Sequence, residues 1–241
     1  MKLIAQNQPD FTAKDHETWK ILFSKQTPRR HEQIIPEFSY GLEILGITPE
    51  KIPDVNSVNQ KLHALTGWQG IFVKGFEGPE TFYEMLANKQ FPIGSFIRDP
   101  KDLSYTPEPD IFHDLYGHIP FYIIPEYGNF CQDFGKRGMK YLNSPQISEE
   151  FQRLFWFTTE FGLLKTSRGL QICGAGIASS FGECAYALSG KPQVLPFDVE
   201  IIRNKEFRID IMQETLFVLE NMSQMYGCLD LFERPYLNEQ S

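Results

Sequence analysis

The segment Pro109–Pro120, Pro-Asp-Ile-Phe-His-Asp-Leu-Tyr-Gly-His-Ile-Pro, constrains this chain more than any other. It carries two of the five histidines, His113 and His118, five residues apart. In an ideal α-helix that separation is about 500° of rotation, so the two rings would point about 140° apart. If they share an ion, the backbone must loosen between them. Gly117 permits a break, and Pro120 ends a helix and holds Ile119 extended. The spacing therefore predicts His113 on the last full turn of a helix and His118 just past it. Histidines in isolation are also common on surfaces and in satisfied core positions, so the pair needs a third group to acquire meaning.

A two-histidine iron site takes one carboxylate and leaves a face of the octahedron open. Asp114 is adjacent to His113, and on a helix it would point about 100° away from it. Glu126 follows Pro125 in a loop. Glu160 lies in Leu154-Phe155-Trp156-Phe157-Thr158-Thr159-Glu160-Phe161-Gly162-Leu163-Leu164, and a helix there would surround it with Trp156, Phe157, Leu163 and Leu164. A carboxylate on such a face must be paired, protonated or metal-bound, because an uncompensated buried charge costs several kcal/mol. The residues leave two partners open: a metal, or a salt bridge to Arg98 or Arg137.

The chain has 241 residues, enough for one substantial core, with 41% hydrophobic and 22% charged residues. Its 21 phenylalanines mostly fill a core, and some line a pocket for a flat apolar ligand. A net charge of −8, with no basic patch, argues against nucleic acid as a partner. No basic amphipathic segment, long apolar run or signal-peptide core is present, so we expect no membrane contact and a cytoplasmic location. The four scattered cysteines contain no CxxC and suit reduced, buried thiols.

In order along the chain, the pattern predicts an arm over residues 1–14 and one domain over 15–241. The expected class is mainly α with a few short β-strands (α+β). Helices are predicted over 15–26, ended by Pro28; over 34–45, ended by Gly46; briefly from Thr48; over 57–65, capped by Ser57; and over 80–88. Strands are predicted over 68–73 and 91–98. Residues 125–141 mix helix and loop. A long helix over 151–165, capped by Ser148, carries Glu160. The small-residue run 169–180 reads as strand and turn where backbone closely approaches a neighbour. A helix over 181–188, a strand over 207–211, a helix over 214–225 and an irregular tail from Leu229 complete the prediction.

Three motifs together show a resemblance. Tyr105-Thr106-Pro107-Glu108-Pro109-Asp110-Ile111-Phe112-His113-Asp114 with Gly117-His118-Ile119-Pro120, Trp156-Phe157-Thr158-Thr159-Glu160-Phe161-Gly162-Leu163, and Gly174-Ala175-Gly176-Ile177-Ala178-Ser179-Ser180-Phe181-Gly182-Glu183 follow in order. Over about residues 17–225 the chain resembles the catalytic domain of the pterin-dependent aromatic amino acid hydroxylases, in particular the short bacterial phenylalanine hydroxylases. The resemblance implies a single-domain helical basket around a non-haem iron site. It implies an Fe(II)- and tetrahydropterin-dependent monooxygenase that hydroxylates an aromatic amino acid ring with O2. The animal members' regulatory domain and tetramerisation helix have no counterpart, which implies a monomeric catalytic domain working on small molecules.

Carried over by position, the resemblance makes His113, His118 and Glu160 the metal ligands. It assigns Arg98 to the substrate carboxylate, with Thr106 and Ser179 as helpers, and Trp156 and Phe161 to the substrate ring. Gly75, Phe76 and Phe82 fall where the family holds the pterin. Asp114 stands where an acidic residue contacts the pterin through water, and Glu183 where a carboxylate orients the first histidine. The chain departs from animal members at Phe155, at Glu77-Gly78-Pro79 and at Pro92. Trp156, with Ile209 where tyrosine-specific members carry aspartate, favours phenylalanine as substrate; tyrosine or broad specificity is the alternative. A zinc hydrolase and a non-catalytic binding protein are rival classes. An apolar pocket without an obvious general base argues against the first, and an intact triad with Arg98 against the second.

Overall fold

The computed structural model describes residues 2–75, 77–104 and 108–237. In chain order the elements are α1 (Ala13–Gln33), α2 (Pro36–Leu45), α3 (Val55–Thr66), β1 (Gln69–Val73), α4 (Pro79–Ala87), β2 (Gln90–Gly94), a π-helix (Phe112–His118) and a 3-10 helix (Ile119–Ile123). Then come α5 (Pro125–Gly138), a 3-10 turn (Met139–Tyr141), α6 (Pro145–Phe155), a second π-helix (Trp156–Glu160), β3 (Gly162–Thr166) and β4 (Gly169–Ile172). The chain ends with α7 (Ala175–Ala178), α8 (Phe181–Ala187), β5 (Gln193–Pro196), α9 (Val199–Arg203), β6 (Thr215–Leu219) and α10 (Met222–Leu237). It is the helix-rich α+β architecture expected, with a parallel β1–β2 pair and a four-stranded sheet in the order β4-β3-β6-β5.

One apolar cluster runs through the molecule. Its centre is aromatic. Phe112 and Tyr116 stack at 4.5 Å, Trp19 meets Phe112 edge-on at 5.2 Å, and Phe134 lies on Phe151 at 4.3 Å. Phe112 and Tyr116 thus anchor the histidine-bearing coil from behind. On the other side α4, α5 and α10 pack together and support α6.

Several expectations are corrected. Helix α1 runs through Pro28 to Gln33. A proline removes its own donor and crowds the carbonyl four residues back, a cost that neighbouring contacts offset here. Gln26 Nε2 donates to the Ala178 carbonyl at 2.8 Å, Thr27 Oγ1 donates to the Phe23 carbonyl at 3.0 Å, and the Arg30 guanidinium lies over the Phe23 ring. Thr48-Pro49-Glu50 makes only a bend, because α1 side chains take its backbone: Trp19 Nε1 donates to the Thr48 carbonyl and Ile52 N–H donates to His16 Nδ1. Asp54, not Ser57, caps α3, and Pro145 rather than a Ser148 cap opens α6.

The largest corrections lie in the C-terminal third. The helix predicted over 151–165 stops at Glu160, and Gly162–Thr166 is strand β3. Residues 207–211 form no strand, Thr215–Leu219 is strand rather than helix, and the tail from Leu229 is helical to Leu237. The run Thr-Leu-Phe-Val-Leu of β6 lies between β3 and β5, parallel to both. A strand buried on both faces loses the alternation that marks strands, so periodicity misreads it as helix.

Candidate active site

Both metal-motif segments are π-helical, and this resolves the five-residue spacing. Ile119 N–H donates to the Asp114 carbonyl, five residues back, rather than four. The wider turn brings residues five apart toward the same face, so His113 and His118 sit in one continuous coil. The expected helix break at Gly117 does not occur. A Cβ there would press on Ala175 and Ser179, so the glycine instead lets α7 come against the coil. Glu160 ends the second π-helix, where Phe161 N–H donates to the Trp156 carbonyl at 2.8 Å, again five back. The close approach expected of the 169–180 run is to this residue: a Cβ on Gly174 would overlap the Glu160 carbonyl.

These coils bring His113, His118 and Glu160 together, one ligand atom of each lying within 4.8 Å of the others. His118 Nε2 is 3.0 Å from Glu160 Oε1, and His113 Nε2 is 3.4 Å from Glu160 Oε2. Both nitrogens of the fully buried His118 lack a hydrogen-bond partner among the described residues. Nε2 and the Glu160 carboxylate thus face each other at close range in a poorly aligned contact, an arrangement that also suits ligand atoms around one ion. Two imidazoles and one carboxylate, with cavity on the remaining side, fit a divalent first-row metal, Fe(II) foremost. Neither alternative salt bridge forms: Arg98 pairs with Asp110, and Arg137 with Asp230 and Glu233.

The electrostatics agree. Burial disfavours charge on His113, but the hydrogen bonds and charges of Asp114 and Glu160 outweigh it and raise its pKa to about 10. Burial likewise opposes charge on Glu160, yet His118 and His113 hold its carboxyl well below the usual range. The site is an anionic cradle whose charge suits a bound cation.

The orienting carboxylate is Asp114, which corrects the expectation for Glu183. His113 Nδ1 donates to Asp114 Oδ1 at 3.0 Å, and Gly94 N–H donates to Oδ2 at 2.7 Å. With Nδ1 taken by Asp114 and Nε2 facing Glu160, His113 has no ring atom left for Glu183. Asp114 thereby favours the His113 tautomer whose Nε2 would be free to ligate a metal. Asp114→Ala is expected to weaken metal binding about 10–100-fold, measured by anaerobic titration with Fe(II).

Glu183 instead lines the cavity with Oε2 unpartnered among the described residues, and burial, only partly offset by the Gln213 N–H, lifts its pKa to about 7. An acid raised on folding destabilises the folded state once it ionises. That penalty is absent below the unfolded value, grows between the two and is complete above the folded one. Glu183→Gln is therefore expected to stabilise the protein by about 3 kcal/mol above about pH 8, and hardly at all at about pH 4, by urea titration.

The cavity beside the triad has a volume of about 700 Å³. Arg98, Trp156, Phe161, Ser179, Gly75, Phe82 and Asp114 all line it. Phe82 meets Phe155 edge-to-face at 5.2 Å, and Phe155 in turn stacks at 6.5 Å on His118, so apolar rings flank the histidines. Thr106 and Phe76 lie outside the described residues.

Arg98 is held by Asp110, a residue not singled out from the sequence. Arg98 Nε and Nη2 donate to the two Asp110 oxygens, each at 2.8 Å, and the Arg98 and His113 backbone N–H groups donate to the same carboxylate. Asp110 is fully buried; burial alone would raise its pKa, but Arg98 and these N–H groups hold it below the ordinary value. Nη1 makes only a 3.4 Å bond to the Leu103 carbonyl, and Arg98 lines the cavity. The signal for Asp110 was an acid at the head of the histidine segment facing an arginine at the end of an extended one.

Fold and site together define a non-haem metal enzyme with a bound-ligand cavity walled by aromatic rings. Comparison with known proteins narrows the class. The description "biopterin-dependent aromatic amino acid hydroxylase" matches residues 5–236. The phenylalanine-4-hydroxylase of Chromobacterium violaceum is 40% identical over 217 residues, 90% of this chain and 73% of the relative; that of Pseudomonas aeruginosa is 37% identical over 212 residues, 88% and 80%. Among solved structures, C. violaceum phenylalanine hydroxylase with bound oxidised Fe(III) superposes with a TM-score of 0.90 at 38% identity, covering 95% of this chain and 83% of that one. The iron- and phenylalanine-bound form of that protein gives 0.86 at 37% identity, covering 93% and 83%. The chain belongs to the biopterin-dependent aromatic amino acid hydroxylase family.

Proposed function

We propose that this chain is an Fe(II)- and tetrahydropterin-dependent monooxygenase that converts L-phenylalanine to L-tyrosine. His113, His118 and Glu160 hold the metal, and Asp114 sets the His113 tautomer. The observation that carries the reading is the convergence of these three groups, with His118 nitrogens buried and unbonded, at the wall of a cavity that also contains Arg98. Iron and pterin, when bound, supply the O2 activation that no protein side chain provides.

The chain's own residues do the rest. Arg98, locked by Asp110, presents its remaining N–H edge to the amino acid carboxylate, and the family resemblance adds Ser179 and Thr106 as helpers. A guanidinium suits a carboxylate because two parallel N–H groups match two oxygens. Trp156 and Phe161, with ring centroids 4.5 Å apart, form the wall for the substrate ring. Gly75 and Phe82 line the cavity where the pterin is taken to sit, and the family resemblance adds Phe76 to that set. The apolar lining keeps water away from the reacting atoms, which strengthens the electrostatics of the site. The same reading takes residues 15–241 as one catalytic domain after an arm over 1–14, acting as a monomer in the cytoplasm on small molecules alone. No helix among the described residues is long and apolar enough to cross a membrane.

The test is anaerobic loading with iron, then addition of phenylalanine, tetrahydropterin and O2, with tyrosine and oxidised pterin quantified. Tyrosine far above an iron-free control is expected. Absence of any hydroxylated aromatic amino acid overturns the reading, and product from tyrosine but not phenylalanine reassigns the substrate.

A further inference from the structure

Trp156 is held more firmly than a ring in a pocket wall needs to be. One neighbour is Phe207, stacked at 4.1 Å between centroids with 14° between planes, and another is Phe161. Its indole Nε1 donates to Gln213 Oε1 at 3.1 Å. Gln213 is 5% exposed, and its amide nitrogen donates to the carbonyls of Arg208 at 2.6 Å and Ile211 at 3.2 Å. The buried amide therefore has both its oxygen and its nitrogen engaged, and it links two things: the indole on one side and the backbone of residues 208–211 on the other.

That backbone has no regular secondary structure, so its course depends on such bonds. Its residues border the cavity. Phe207, Ile209, Asp210, Ile211 and Met212 all line it, and Ile209 is 64% exposed at its mouth. The width of the ring pocket is thus set between the indole and this rim, and one side chain fixes the two relative to each other.

The geometry points to Gln213 as a positioning residue that sets the ring-size selectivity of the pocket by pinning Trp156 to the 208–211 rim. It touches the indole and the rim, and acts on the substrate through them. The inference rests on the reading of this cavity as the site of an aromatic amino acid. Without the amide, the indole N–H and two carbonyls lose their partner, the indole can tilt, and the rim can move outward. A six-membered ring is then held less well, while the larger indole ring of tryptophan is rejected less. Discrimination between ring substrates in an apolar pocket spans about 10–200-fold, so a loosened wall removes a measurable part of it.

The experiment compares wild type, Gln213→Leu, Trp156→Phe and the double variant, all iron-loaded, by kcat/KM for phenylalanine and for tryptophan. Gln213→Met, closest in length, replaces the leucine variant if that fails to fold. Gln213→Leu is expected to raise KM for phenylalanine about tenfold with a smaller change in kcat, and to lower the phenylalanine-to-tryptophan ratio about tenfold. In the Trp156→Phe background, which has no indole N–H, the Gln213 substitution is expected to change the ratio by less than about twofold. Limited trypsin digestion of the folded proteins supplies a readout apart from activity, with cleavage after the exposed Arg208 expected to be faster in the Gln213 variant. An unchanged ratio in Gln213→Leu, or full additivity with Trp156→Phe, overturns the inference while leaving the enzymatic reading intact. A wild-type protein that hydroxylates neither amino acid overturns that reading, and the inference falls with it.

Discussion

Glu160→Ala is expected to give a folded protein whose affinity for Fe(II) has dropped by well over about 100-fold. Loss of a group that only orients a ligand costs about 10–100-fold, and Glu160 supplies the one carboxylate of the three converging groups. The fold should survive because the side chain lies on the cavity wall, 14% exposed, while Phe157 beside it is buried against Phe217 at 5.0 Å. Anaerobic titration with Fe(II), alongside circular dichroism, separates the two outcomes. Full metal occupancy in the folded variant would mean that a different carboxylate is the ligand. Loss of binding in a variant that keeps its folded circular-dichroism spectrum is the expected result.

Arg98→Ala should act on stability and substrate binding together. Asp110 is 0% exposed and depends on the Arg98 fork for its charge. Removing one partner of a buried pair costs about 3–5 kcal/mol, because the remaining charge is left uncompensated. For a chain of this size that corresponds to a fall in Tm of about 6–20 °C. The sign with pH follows from Asp110, whose folded pKa lies below its ordinary value. The stabilisation from the pair is present above the unfolded pKa and is lost as pH falls through the folded one, so the gap between wild type and variant should close below about pH 4. Arg98→Lys keeps the charge without the fork and should fall between them. A variant as stable as wild type at neutral pH would show that Asp110 finds another partner. A variant that is destabilised yet binds phenylalanine normally would remove Arg98 from the substrate site.

Much of this could be read from the residues. Gly46 and Gly67 end their helices in left-handed geometry, as expected of glycines after amphipathic runs, and Pro79 opens α4. The three motif segments do meet at one cavity. The parts that could not be read share a cause, in that a distant partner decided them. Pro28 stays inside a helix because Ala178, far along the chain, accepts from Gln26. Strand β6 is a strand because β3 and β5 lie on either side, although its own pattern carries no period of two. The π-helices are a subtler case. The five-residue histidine spacing, measured against an α-helical wheel, argued for a break, whereas a locally wider coil solves the same problem without one.

In the site, residue type signalled chemistry better than it signalled pairing. Asp114 and Glu183 are both acids in motif segments, and only the geometry shows that Asp114 reaches His113 Nδ1. Asp110 and Gln213 carry no distinctive signal in the sequence, because an acid beside a proline and a glutamine in an irregular stretch have many ordinary uses. Their roles come from what they touch: the Arg98 guanidinium and the Trp156 indole.

The most direct test of the central claim is to run the iron-loaded protein with phenylalanine, tetrahydropterin and isotopically heavy O2, and to weigh the tyrosine formed. One heavy oxygen atom in the tyrosine, with none formed by the Glu160→Ala protein, is the predicted result. Tyrosine that carries no heavy oxygen, or equal amounts from the Glu160→Ala protein, would contradict a monooxygenase built on His113, His118 and Glu160.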